Sequence, residues 1–104
     1  MSAETMADLT QATGRELALV RMKAGQRMLF IGDANAVSLP VKNIQRIIAH
    51  THPSGVLELS LNTRILPNGS FAFVGDIPTL NTYFPMQKST VIIGPAGNGV
   101  RLRP

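Results

Sequence analysis

Apolar positions along this chain fall into short runs of strand length, bounded by glycine, proline and asparagine. Residues 16–22 (Glu-Leu-Ala-Leu-Val-Arg-Met) and 26–31 (Gln-Arg-Met-Leu-Phe-Ile) flank Lys23-Ala24-Gly25, which predicts a β-hairpin. Gly32, Asp33, Ala34 and Asn35 close its second strand, and residues 36–43, with Pro40, form a connector. Residues 44–50 (Ile-Gln-Arg-Ile-Ile-Ala-His) are rich in β-branched side chains. They would also fit half a helix, but the run leads straight into Pro53, and proline ends helices, so a third strand is expected.

Residues 57–61 are short and apolar. A second hairpin is expected from residues 64–66 and 71–74, around Pro67-Asn68-Gly69-Ser70. Residues 76–84 fit a short helix, with Asp76 as N-cap, Pro78 in the first turn and Pro85 as the stop. Residues 89–93 read as a buried strand, 94–99 as a turn and 100–103 as a last edge strand. Residues 1–13 form a short helix or a loose arm before Gly14. Together they give an α+β fold: one domain over 14–104 behind the 1–13 segment, with a mixed, mostly antiparallel sheet and one or two short helices.

The length of 104 residues suits one domain and is too short for two cores. No cysteine is present, which excludes disulfides, thiolate metal sites and cysteine nucleophiles. Any metal must be held by histidine and carboxylate. The ten Lys and Arg against six Asp and Glu leave a formal charge of +4. They are scattered, so a solvated basic surface is the plain expectation, and nucleic-acid binding is not expected. With one Tyr, four Phe and no Trp there is little to stack on bases. No apolar run approaches the ~20 residues of a membrane span. Residues 1–13 do not read as a signal peptide. The expected location is the cytoplasm, or outside the cell as part of an effector exported without a cleavable signal.

His50 and His52 are the only histidines. Two apart at the end of a strand, they share one side, with Thr51 pointing away. Two neutral imidazoles there make half of a tetrahedral zinc site, although a bare His-x-His can also simply cap a strand. Pro53 and Gly55 then turn the chain away. The one aspartate after the pair, Asp76, opens a helix and is the candidate third ligand; alone, it would be an N-cap. Metal-activated water needs a base. Glu16 heads an otherwise apolar strand, where a partly buried carboxylate with a raised pKa can sit. Glu4 and Glu58 are the other candidates, and Glu58 reads as an exposed loop residue.

A glutamate on an early strand, then Ile-Ile-Ala-His-Thr-His-Pro-Ser-Gly, an aspartate opening a helix and Ser-Thr-Val-Ile-Ile-Gly-Pro together resemble the JAMM (MPN-plus) zinc metalloprotease family, particularly its small bacterial members. The resemblance runs from about Arg15 to Arg103, and its most specific part is the His-x-His-Pro-Ser-Gly core. It implies a cytidine-deaminase-like sandwich, zinc on His50, His52 and Asp76, and Glu16 as the acid/base. It also implies cleavage of peptide or isopeptide bonds in a protein or peptide substrate, often joined to ubiquitin-like modifiers.

One departure stands out. The family's motif continues from the second histidine through seven residues to Ser-x-x-Asp. Ser60 falls in register, but three residues on stands Thr63 in place of Asp. An insertion of thirteen residues, carrying the Asn68-Gly69 hairpin, would restore the pattern by leaving Ser60 beside Asp76. Ser60 would then donate its hydroxyl to the developing oxyanion, with Ser70 a weaker substitute. If neither serine reaches, the alternative is an impaired JAMM-like scaffold or protein-binding module within a larger effector.

Overall fold

The computed structural model of this protein describes residues 2–34, 37–55, 62–65, 71–74 and 76–103. The N-terminal segment is helix α1 (Ala3–Thr13), started by the Ser2 side chain, which accepts from the Thr5 N–H. Gly14 ends it with φ 66°, a left-handed conformation that suits glycine, and donates its N–H to the Thr10 carbonyl. Strands β1 (Leu17–Met22) and β2 (Arg27–Ile31) form the expected hairpin. A 3-10 turn at Val41–Asn43 leads into β3 (Ile44–Thr51). Strands β4 (Asn62–Ile65) and β5 (Phe71–Val74) pair as a separate antiparallel ribbon. Helix α2 (Asp76–Tyr83) follows, then β6 (Thr90–Ile93) and β7 (Gly99–Leu102).

The main sheet has the order β2-β1-β3-β6-β7. Its pairings are antiparallel except β3–β6, which is parallel, so the sheet is mixed and β7 is an edge, as expected. One helix packs on each face. On the first, Met6 and Ala7 of α1 meet Leu17, Leu19, Ala49 and Ile93. On the second, Leu80 of α2 and the following Phe84 meet Val20, Met22, Ile44 and Ile47. Alternation along β1 sorts the two sets, odd positions to α1 and even positions to α2.

Strand β3 does not alternate so simply. Its register against β1 shifts twice, between the pairs Leu19–Ala49 and Val20–Ile47 and again between Arg21–Arg46 and Met22–Ile44. Each shift inserts one extra residue, as in a β-bulge. The α2 face of β3 is therefore built by Ile44, Ile47 and His50, three residues apart. That spacing is what gives the run its half-helical look in the sequence.

Beyond the start of β6, the side chain of Gln87 continues the ladder. Its amide donates to the Ile47 carbonyl at 2.7 Å and its oxygen accepts from the Ile47 N–H at 2.9 Å. Among the described residues, no helix is long and apolar enough to cross a membrane.

Candidate metal centre

The register of β1 against β3 sets the site. Ala18 lies opposite His50. One step further out on the same face, Glu16 comes to His52, with its Oε1 3.8 Å from the His52 Nε2. Cross-strand partners share a face, so Glu16, Ala18, His50 and His52 all look toward α2. The small Ala18 leaves room for the imidazole beside it. Thr51 points the other way, as expected, and ties the rear of the site together. Its buried hydroxyl accepts from the Leu17 N–H at 3.0 Å and bonds the Thr10 hydroxyl of α1. The backbone of Glu16 is held on both sides, donating to the Asp33 carbonyl at 2.7 Å and accepting from the Gly32 N–H at 2.8 Å.

Helix α2 supplies the fourth group. Asp76, Leu80 and Phe84 recur every four residues and so share one face. Leu80 and Phe84 fix that face on the sheet, and Asp76 then lies over the histidines. Asp76 is the first helical residue rather than the N-cap expected for it, and its negative charge suits the helix N-terminus. Past His52 the chain turns: the Gly55 N–H donates to the His52 carbonyl at 2.9 Å, and Gly55 has φ 77°.

The ring nitrogens converge. His50 Nε2 and His52 Nε2 are 3.1 Å apart, and the Asp76 carboxylate stands 3.2 Å from the first and 3.1 Å from the second, through Oδ1 and Oδ2 respectively. The two rings meet edge to face at 61°. One ligand atom from each of Glu16, His50, His52 and Asp76 fits within a span of 4.8 Å, so the group can hold a metal ion.

The donor chemistry fits a small tetrahedral cation. Ligand bonds of about 2.0–2.2 Å at tetrahedral angles separate neighbouring ligand atoms by about 3.3–3.5 Å. The triangle of two imidazole nitrogens and a carboxylate, at 3.1–3.2 Å, lies just inside that spacing. Glu16 stands outside the triangle, on the His52 side.

Glu16 is only 8 % exposed. Its carboxyl is raised from the usual 4.5 to about 7, chiefly by burial, which the His52 charge opposes and the Asp76 and Asp33 charges reinforce. A carboxyl poised there can both take and return a proton near neutral pH. Compared with family models, curated proteins and solved structures, the chain matches none.

The structure thus brings together Glu16, His50, His52 and Asp76, four of the residues the sequence singled out. Asp33 acts on Glu16 through its charge without joining the group, and Glu4 stays exposed on α1. Ser60, Ser70 and Glu58 lie outside the described residues.

Proposed function

We propose that this chain is a zinc-dependent hydrolase of peptide or isopeptide bonds, of the JAMM (MPN-plus) type and with that family's helix-flanked sheet. The observation that carries the reading is the triangle of His50, His52 and Asp76, with the buried Glu16 carboxyl beside it. His50, His52 and Asp76 would hold the ion. Zinc in such a site supplies a Lewis acid for the scissile carbonyl and lowers the pKa of water to near neutrality.

Glu16 then takes the proton from the attacking water and returns it to the leaving amine, a role matched by a pKa near 7. Its burial keeps competing solvent from the carboxyl. Thr51 and the Gly32–Asp33 backbone fix the strand ends on which Glu16 and His52 sit, so the proton carrier keeps its distance from the ligands. The substrate is a protein or peptide, ubiquitin-like conjugates included, met in the cytoplasm or delivered as part of an exported effector.

Glu16→Gln tests the roles. It should keep bound zinc while lowering chelator-sensitive cleavage of isopeptide-linked or peptide substrates by roughly 10²–10⁴-fold. Unchanged cleavage would remove Glu16 from the chemistry. A second reading, a zinc-holding module that turns over slowly, draws on the altered spacing between Ser60 and Asp76. Ser60→Ala separates the two. A further loss of about 10²–10³-fold marks Ser60 as an oxyanion donor, and no change favours the slow module.

A further inference from the structure

Cations that look scattered in the sequence meet on the α1 face of the sheet, most of them toward the end away from the histidines. Arg21 lies two residues past Leu19 and so shares its face. It is paired directly with Arg27 of β2 on one side and Arg46 of β3 on the other. Neighbouring strands stand about 4.7–4.9 Å apart, so three arginines form one row across three strands. Arg101 of β7 lies opposite Val91, which packs against the α1-side core, and so points to the same face.

These four arginines and Lys88 line one open concavity of about 760 Å3. Half of the chain's ten cations are gathered there, and among the described residues no acidic one is in the lining. All five are exposed. Among the described residues, none of these five cations pairs with a carboxylate. Like charges placed directly opposite across strands are destabilising, so the row costs the fold something and returns nothing to it.

The rest of the lining narrows the partner. Ile48, at the first β3 bulge, is half-buried, and Met86 is 86 % exposed, the most exposed large apolar side chain described. Met is an adaptable apolar contact for a partner side chain. Among the described residues, no aromatic side chain is in the lining for bases to stack on. Guanidinium groups pair with carboxylates in a two-pronged geometry.

We propose that this groove docks an acidic segment of another polypeptide, with an apolar side chain between its carboxylates seated on Met86 and Ile48. The arginine row lies on the opposite face and at the opposite end of the sheet from the candidate metal centre, and Arg101, level with Ala49, lies on that opposite face too. Docking there is therefore independent of the zinc reading, and either can fail without the other.

The test is fluorescence anisotropy on the full chain with three probes: a labelled peptide of alternating Glu and Leu, its Lys-and-Leu counterpart, and a single-stranded oligonucleotide of equal charge. The acidic peptide should bind, weaken as salt rises, and lose up to about fivefold for each of Arg21→Gln, Arg46→Gln and Arg101→Gln. Met86→Ser should also weaken it. Melting curves guard against misfolding, since each Arg→Gln variant should melt no lower than the wild type. Acidic-peptide binding unchanged in the triple arginine variant would overturn the proposal. So would tighter oligonucleotide binding indifferent to Met86→Ser, which would mark a phosphate-backbone surface, or a dimer abolished in the triple variant, which would mark a second copy of this chain as the occupant.

Discussion

Where β1 begins and β3 ends, on the α2 face, Glu16, His50, His52 and Asp76 are drawn together and largely out of water. Where β1 ends and β3 begins, on the α1 face, Arg21, Arg27 and Arg46 are drawn together and left in water. The same strand register makes both clusters. Burial decides what each can do. Inside, desolvation raises the Glu16 carboxyl to a pKa of about 7, and the crowded ligand lone pairs are ones a cation would relieve. Outside, the charges sit in water with a screened field, suited to recruiting an oppositely charged partner.

The largest effect that separates the two ends is metal linkage. Zinc at a thousand times its dissociation constant should stabilise the metal-free protein by about 4 kcal/mol, read as a rise in melting temperature. His50→Ala with His52→Ala should remove that rise, whereas Arg21→Gln should leave it intact.

Next comes pH. The folded-state pKa of Glu16 lies above the unfolded value of 4.5, so the folded, metal-free protein holds this proton to higher pH. Its contribution is full below about 4.5 and is lost as pH rises through about 7. Between those limits it amounts to as much as about 3 kcal/mol. Urea unfolding of metal-free wild type and Glu16→Gln at pH 5 and pH 8 should show the variant gaining relative stability at the higher pH. Parallel pH curves would contradict a buried, protonated Glu16.

A smaller effect concerns the support behind the site. Thr51→Val keeps the shape but strips partners from the Leu17 N–H and the Thr10 hydroxyl, and should cost about 1–3 kcal/mol. Thr51→Ser should recover most of it. The smallest effect is at the basic end. Arg21→Gln should stabilise the protein by about 0.2–1 kcal/mol by relieving the row, and a loss of stability would contradict the stated repulsion.

Much of the candidate site's cluster was legible because its signals are local. The pair His50 and His52 needs only period two, and Asp76 is the one aspartate after it. Glu16 stood out as a charge heading an apolar run. The bulges of β3 were not legible, since nothing in Ile44, Gln45 or Ile48 by itself marks an extra residue; the register against β1 creates it. Gln87 as a substitute strand partner was hidden for the same reason, lying forty residues from Ile47. The arginine row was the largest omission. Arg21, Arg27, Arg46 and Arg101 are separated in the chain and collected only by pairing, so a reading that looked for runs saw a plain basic surface.

The central claim is that His50, His52 and Asp76 hold one zinc ion. Elemental analysis of purified wild type beside Asp76→Ala, both folded by circular dichroism, tests it directly. About one zinc per wild-type chain is expected, as for a mononuclear tetrahedral site, and little in the variant. Equal zinc in the two proteins would contradict it.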